Sequence, residues 1–185
     1  MLVDRVDWRS LPSPLYLPGA ELGLVEWPGA LLDRADLSNC NLVGANLAAA
    51  SLAAAILTGA NLVGVNFAGV NLQEADLGEA CLHRSNLCFA NLRGANFCGA
   101  DLSGAKLYEA EVQGAYFYRS NLSEANLSRA HLHGCYLVRA NLSGADLSGA
   151  DLRGTNLFQA NLNGANLTGT KLQGAKNLAA VYRTK

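Results

Sequence analysis

Two histidines, His131 and His133, are the residues best suited to chemistry in this chain, because they flank Leu132 with a spacing of two. In an extended strand, side chains at that spacing point to the same side, so the two imidazoles could bind a metal together. Glu111 and Asp151 lie twenty residues before and after His131. A structural or catalytic zinc site needs three or four converging ligands. We therefore expect an exposed histidine paired with acidic neighbours, and no metal site.

Other catalytic patterns are missing from the sequence. The serines are numerous, but none has a histidine and an acid arranged behind it as a nucleophilic triad requires. No GxGxxG or P-loop pattern occurs, since glycine recurs at nearly every fifth position instead. The sequence predicts no enzyme and no cofactor.

The composition of the chain limits which partners it is expected to bind and which compartment it is expected to occupy. A net charge of −1, from 14 basic and 15 acidic residues, argues against direct nucleic-acid binding through phosphate neutralisation. The most apolar run, 45–57, is interrupted by Asn46 and Ser51, so no membrane span is predicted. The N-terminal residues mix charges where a signal peptide needs an apolar core. The chain also has five cysteines, an odd number that does not suit a framework of disulfides. The N-terminal residues and the cysteine count together indicate reduced thiols and a cytoplasmic location.

A five-residue repeat must position all of these groups. From Ala140 to Gly154 the chain reads small residue, Asn or Asp, Leu, variable residue, Gly three times running, and this frame holds from Leu15 to Gly174. Of the 31 centres from Leu22 to Leu172, 26 are leucine, and 17 of the 19 glycines lie two residues after a centre. The repeat covers nearly the whole chain without an inserted loop.

A period of five fits neither a helix nor a continuous strand. On a helix, successive leucines would rotate by about 140° and form no stripe. On a straight strand, they would alternate between the two faces. A short strand that buries the alanine and the leucine, followed by a glycine corner, does fit. Repeating that corner winds a coil, which must stack on further coils to bury its apolar face.

These A(D/N)LxG units resemble the pentapeptide-repeat family, and they cover about 160 of the 185 residues. The resemblance implies an all-β fold, a right-handed quadrilateral β-helix with four units per coil and about eight coils over residues 15–174. Residues twenty apart would then stack directly. Residues 1–14 and 175–185 are predicted to be short caps, each of which could be helical.

One outer face departs from the polar coat of Asn, Ser and Gly. Its exposed aromatic and basic side chains have the composition of protein-binding hot spots. An aromatic ladder that stabilises the sheet, or tolerated drift, is the alternative interpretation. The residues of this predicted partner surface are Tyr116, Tyr118, Arg119, Tyr136, Val138, Arg139 and Phe158.

The C-terminal residues Leu178, Val181 and Tyr182 have the i, i+3, i+4 spacing of an amphipathic helix. Such a helix could close the end of the rod, or join two rods end to end as some relatives of this type do. The chain is accordingly expected to be a monomer or an end-to-end homodimer.

Three functions remain open at this point. The first is a rigid, non-enzymatic module that binds an unidentified protein partner through its outer faces. The second is implied by the resemblance: family members of the quinolone-resistance type mimic DNA and bind gyrase-type topoisomerases. That role requires a strongly acidic surface, whereas acids cluster only locally here, as at Glu74, Asp76 and Glu79. The third is a structural spacer.

Overall fold

The computed structural model describes residues 13–178. Its regular elements are single-residue parallel bridges at every fifth position, from Tyr16 to Lys176, and each bridge joins residues twenty apart. Four bridges therefore complete one coil. We number coils 1 to 8 in chain order, from 15–34 to 155–174. At about 4.8 Å per coil, the eight coils form a rod about 38 Å long.

The rod is a right-handed quadrilateral β-helix, as the resemblance to the pentapeptide-repeat family implies. Its four sides follow one another along the chain. In coil 6 the centre of face 1 is Phe117, and the centres of faces 2, 3 and 4 are Leu122, Leu127 and Leu132. Residues at corresponding positions in successive coils form columns parallel to the rod axis.

The core contains the centre and the small residue of each unit. Leu37 and Ala35, for example, are both completely buried. The bridge residue between them points outward, because side chains alternate along an extended segment. Larger side chains are accommodated by stacking along the axis: the rings of Phe97 and Phe117 lie 5.1 Å apart and nearly parallel, at 3°. Buried residues from Leu15 to Leu162 form one continuous apolar cluster.

Backbone hydrogen bonds run along the rod axis from coil to coil. The amide of Phe117 donates to the carbonyl of Tyr136 at 2.8 Å, and the amide of Tyr136 donates to the carbonyl of Ala115 at 3.0 Å. The same pattern recurs along the described chain. Between the two end coils, the strand amides and carbonyls are thus paired within the rod, and the sides of the rod are formed by side chains.

The corners explain the glycine column. At each corner the amide of the next small residue donates to the carbonyl of the centre, as Ala145 does to Leu142 at 3.1 Å. The residue two after the centre has a φ between 53° and 72° at every corner from Gly19 to Gly174. A positive φ only at the third residue is the signature of a type II turn, which favours glycine. Seventeen of these residues are glycine and fifteen are not.

The ends of the rod are only partly described. The bridge ladder continues to Lys176, and Leu178 packs against the core as a half-buried residue. Val181 and Tyr182, like residues 1–12 of the predicted N-terminal cap, lie outside the described residues. The division of the chain into a β-helix and two caps therefore stays a prediction. Within residues 13–178, no helix is long and apolar enough to cross a membrane.

Candidate functional site

Face 1 carries a stacked pair of tyrosines in coils 6 and 7. Tyr116 and Tyr136 are the outward bridge residues of adjacent coils, and they pair directly in the sheet. Their ring centroids lie 4.9 Å apart with an angle of 5° between the planes. The spacing between coils thus coincides with that of the stacked rings. The side chains remain 45% and 47% exposed, so the pair presents a rigid aromatic surface to solvent.

A second column lies beside the tyrosine pair, at the position after each centre. Tyr118, Val138 and Phe158 occupy it in coils 6, 7 and 8. Tyr118 is 40% exposed and Phe158 is 45% exposed, while Val138 is half-buried. The two columns together form one apolar strip that spans three coils.

Two arginines flank this strip at the corner between faces 1 and 2. The guanidinium carbon of Arg119 lies 5.2 Å from the centre of the Tyr118 ring, within the range of a cation–π contact. Arg139 donates to the hydroxyl of Tyr118 at 3.4 Å and to the Gln159 side-chain oxygen at 2.7 Å. Among the described residues, neither arginine forms an ion pair with a carboxylate. Both guanidinium groups are held in place by neutral partners.

The structure therefore brings together all seven residues of the predicted partner surface. We call them the aromatic face: Tyr116, Tyr118, Arg119, Tyr136, Val138, Arg139 and Phe158. Along face 1 and its corner with face 2, from Asn96 to Leu178, the basic residues are Arg119, Arg139 and Lys176, and no outward residue is acidic. The aromatic face is locally basic on a chain whose net charge is −1.

The histidine pair lies on face 4 and is part of a charged network. His131 and Glu111 are joined by a contact of 3.0 Å, so the predicted pairing is present with Glu111, whereas Asp151 pairs with Arg153 instead. Glu111 also accepts hydrogen bonds from Gln113 at 2.6 Å and from Arg93 at 2.9 Å. The bond from Gln113, followed by the charge of His131, holds the pKa of Glu111 below its usual value. The carboxylate is thus already occupied by protein partners.

Asp151 is occupied in the same way by a single arginine. Arg153 donates to both of its carboxylate oxygens, and the shortest contact is 2.6 Å. This hydrogen bonding lowers the pKa of Asp151 to about 2. No group of three or more His, Cys, Asp or Glu side chains is arranged to hold a metal ion within residues 13–178. The histidines line only a shallow surface depression, together with Arg153 and Lys171.

The repeat pattern identifies the family of the chain. The sequence matches the family described as Pentapeptide repeats in eight copies. The matched ranges are 30–67, 45–84, 80–117, 120–159 and 135–174. The chain belongs to the pentapeptide repeat family.

Solved structures similar to this pentapeptide repeat protein are themselves pentapeptide repeat proteins. HetL of the cyanobacterium Nostoc sp. strain PCC 7120, involved in heterocyst differentiation regulation, is 32% identical; the match covers 88% of this chain and 86% of HetL, with a TM-score of 0.37. Rfr23 of Cyanothece 51142 is 37% identical over 54% of this chain and 58% of its own, with a TM-score of 0.32. QnrB1, a plasmid-mediated fluoroquinolone resistance protein, is 24% identical over 91% of this chain and 95% of its own, with a TM-score of 0.47. No curated protein sequence matches significantly.

The pentapeptide repeats also bring together a cluster that the sequence analysis missed. We call Phe89, Tyr108, Glu109 and Arg129 the corner cluster. The rings of Phe89 and Tyr108 meet edge to face at 5.6 Å and 88°. Arg129 donates to the Tyr108 hydroxyl at 3.2 Å and to the Glu109 carboxylate at 3.4 Å. A side-chain hydrogen bond with Glu109 raises the pKa of Tyr108, and the same bond lowers the pKa of Glu109.

The signal for the corner cluster was present in the sequence. Phe89, Glu109 and Arg129 share one column, and Tyr108 stands in the column beside it. Reading the corner columns in steps of twenty would therefore have placed these four residues near one another, although it would not have given their contacts. The side chain of Phe89 is 59% exposed. Its backbone has a φ of 61°, a conformation that glycine adopts more easily than phenylalanine. Unlike the aromatic face, this cluster already pairs its arginine with a carboxylate.

Proposed function

We propose that this pentapeptide repeat protein is a rigid, non-catalytic module that binds a protein partner through the aromatic face. The observation that carries the proposal is the pair of exposed, stacked tyrosines beside two arginines that have no carboxylate partner among the described residues. Tyrosine and arginine are the side chains that most often dominate protein interfaces. Here they form a continuous strip across three coils.

The rod supports this role because it holds the binding residues in place before a partner arrives. Ordering a mobile side chain at an interface costs about 0.5–1.5 kcal/mol. Tyr116 and Tyr136 are already stacked, and the guanidinium group of Arg139 is held by Gln159 and Tyr118. A partner would therefore lose little affinity to ordering on this side.

Mimicry of DNA for a gyrase-type topoisomerase is the weaker alternative. It requires a continuous acidic surface, whereas several acids here are neutralised by arginine. Three carboxylates are paired in this way: Glu109 with Arg129, Glu111 with Arg93, and Asp151 with Arg153. A DNA mimic would inhibit gyrase supercoiling or relieve quinolone inhibition at micromolar concentration, and we expect neither effect. A structural spacer would tolerate any substitution on the aromatic face.

We further propose a cytoplasmic location, with the chain a monomer or an end-to-end homodimer through Leu178, Val181 and Tyr182. All five cysteines are free, which suits a reducing compartment. Cys40 and Cys135 are buried, and their thiols contact the carbonyls of Leu17 and Val112 at 2.8 Å. Burial raises the pKa of Cys135 to about 12. Light scattering of the wild type and of Val181→Asp would separate the two oligomeric states.

A pull-down from native cell extract tests the main proposal. Tyr116→Ala with Tyr136→Ala removes the stacked pair and should reduce the retained partner at least about tenfold, as expected when two hot-spot residues are removed. The matched control is Asn121→Ala with Asn141→Ala, which changes the same positions in the same two coils on face 2. This control should retain the partner at the wild-type level. Retention of the partner at the wild-type level by both double variants would refute a binding role for the aromatic face.

A further inference from the structure

We infer that the aromatic face binds an acidic amphipathic helix of its protein partner. The inference rests on the proposed function, since it names the kind of segment that the same surface takes. Three properties of the surface lead to it: its charge, the absence of free main-chain groups along its described sides, and the spacing of its columns.

Charge selects an acidic partner. Arg119 and Arg139 lie side by side in one corner column, and Lys176 lies further along face 1. The present partners of the two arginines are neutral: an aromatic ring, a hydroxyl and an amide oxygen. An arriving carboxylate would form a charge-assisted hydrogen bond with either guanidinium group, and such bonds are roughly twice as strong as neutral ones. The surface thus offers cations that lack a complement in the described chain.

The same charge argument disfavours a nucleic acid. Stacked tyrosines could hold bases, and arginines could contact phosphates. However, only three basic residues lie on this part of the described rod, and the whole chain carries −1. Subtracting those three positive charges from the net charge of −1 leaves −4 for the remaining residues of the chain. A polyanion that extended beyond the aromatic face would therefore meet a net negative surface.

The hydrogen-bond pattern favours a helix over an extended segment. On face 1 the strand amides and carbonyls point along the axis and pair with the next coil, as Phe117 and Tyr136 do. An extended peptide laid on this side would find no backbone groups to pair with, so it could not add as a strand. A helix satisfies its own backbone internally and can bind through side chains alone. Recognition on this face requires only side chains.

The column spacing fits the pitch of a helix aligned with the rod. Coils 6 to 8 present three levels about 4.8 Å apart, so the first and third are separated by about 9.6 Å. Two turns of an α-helix rise about 10.8 Å, a difference of about 1 Å over the whole strip. Helix residues at i, i+3, i+4 and i+7 would present apolar side chains to the Tyr118–Phe158 column. A neighbouring stripe of glutamates would then face Arg119 and Arg139.

The test measures fluorescence anisotropy with labelled peptides of about 18 residues, or five helical turns. One peptide has a leucine stripe beside a glutamate stripe, a second has lysine in place of every glutamate, and a third has the first composition in scrambled order. A single-stranded oligonucleotide serves as the fourth probe. We expect the acidic helical peptide to bind at least about tenfold more tightly than each of the others, because only this peptide presents a leucine stripe to the apolar strip and a row of glutamates to both arginines at the same time.

Two arginine variants with the same net charge complete the experiment. Arg119→Gln with Arg139→Gln should weaken binding of the acidic peptide about tenfold. Arg129→Gln with Arg153→Gln removes the same charge from the corner between faces 3 and 4 and from face 4, outside the aromatic face, and should change binding less than about twofold. Equal effects of the two pairs would overturn the inference, because overall charge and no particular site would then explain the binding.

Preference for the scrambled peptide, the lysine peptide or the oligonucleotide would also overturn the inference. So would equal binding of all four probes. The pull-down with the tyrosine variants remains a separate result. If it succeeds while the acidic peptide fails, the aromatic face binds protein but not an acidic helix. If the tyrosine variants retain the partner, the proposed function itself is wrong.

Discussion

The aromatic face and its neighbour, face 2, use the same backbone for opposite purposes. On face 2 the outward bridge residues of coils 5 to 8 are Asp101, Asn121, Asn141 and Asn161. Each asparagine amide donates to the side chain one coil earlier, at 3.0 to 3.1 Å. On face 1 of coils 6 and 7, the equivalent positions hold the tyrosine pair. The side chains of the face 2 column hydrogen-bond to one another, whereas the tyrosine column leaves its outer surface available to a partner.

The asparagine column also supports the turns. The side-chain oxygens of Asn121 and Asn141 accept from the amides of Ser123 and Ser143, both at 3.2 Å. These contacts stabilise the start of each corner, as side chains of this type do in turns. The tyrosines make no such backbone contact among the described hydrogen bonds. The outward bridge position therefore accepts either residue type. Asparagine stabilises the fold there, and tyrosine is available to a partner.

The largest expected loss of stability comes from substitutions in the core beneath the aromatic face. There, the core residues of faces 1 and 2 should be about equally sensitive to truncation. Phe117→Ala leaves a cavity next to Phe97 and should destabilise the protein by about 3–5 kcal/mol. Leu122→Ala, beneath face 2 in the same coil, should cost about 2–5 kcal/mol because that side chain is also fully buried. Urea unfolding measures both. A destabilisation below about 1 kcal/mol at Phe117 would contradict continuous packing of the core.

The next effect should separate the two faces. Asn141→Ala removes hydrogen bonds to two neighbouring asparagines and one backbone amide, and we expect a destabilisation of about 1–2 kcal/mol. Tyr136→Ala removes one exposed ring stack, worth about 0.5–1.5 kcal/mol, so its effect should be the smaller of the two. The two denaturation midpoints decide the order. A larger effect at Tyr136 would make the tyrosine pair a structural ladder.

A smaller effect is expected at the corners. Gly144 on face 2 and Arg139 on face 1 have the same left-handed backbone, with φ of 67° and 59°. Gly144→Ala should cost about 1 kcal/mol, because an L side chain is disfavoured there. Arg139→Ala should change stability by less than about 0.5 kcal/mol, since it already has a side chain. Thermal unfolding of the two variants tests this, and equal destabilisation would be inconsistent with it.

The smallest expected effect is on the pH dependence of stability, which should differ between the charged face 4 and the aromatic face. The pKa of Asp151 is lowered to about 2 in the folded protein, below its ordinary value of 3.8. Its pairing with Arg153 therefore stabilises the fold above about pH 4, and this stabilisation disappears as the pH falls through about 2. Asp151→Asn should flatten this part of the stability profile by up to about 1 kcal/mol.

The control for the pH prediction is Tyr136→Phe on the aromatic face. It leaves every carboxyl group of the protein in place, so the slope of stability between about pH 4 and pH 2 should equal that of the wild type. Guanidinium unfolding at several pH values provides both slopes. An unchanged slope in Asp151→Asn would show that other carboxylates dominate acid unfolding.

Much of the fold could be predicted because each unit has the same local requirement. A small residue and a leucine face inward around every outward residue, and the frame has no insertion that could shift it. The positions of Leu37, Phe117 and the other centres follow from that alternation. The stacking of Tyr116 on Tyr136 also follows, since the resemblance implies that residues twenty apart are neighbours.

Side-chain detail around the corners could not be predicted in this way. The edge-to-face contact of Phe89 with Tyr108, and the hydrogen bond from Arg129, join residues nineteen to twenty-one positions apart across neighbouring columns. Such contacts depend on side-chain rotamers as well as on register. The network that joins Arg93, Gln113 and His131 to Glu111 has the same origin.

The amino-acid sequence alone determined which residues are buried. With a five-residue period, only a short strand followed by a corner in every unit places all the leucines on the inner side. Together with the family resemblance, the sequence also predicted that Tyr116, Tyr118, Tyr136 and Phe158 share one side. Only the tertiary structure decided which charges are already satisfied: Glu111, Asp151 and Glu109 have arginine partners, whereas Arg119 and Arg139 contact neutral groups. The physical reason is range. Burial follows from alternation along the chain, but an ion pair depends on the few ångströms that separate two flexible side chains.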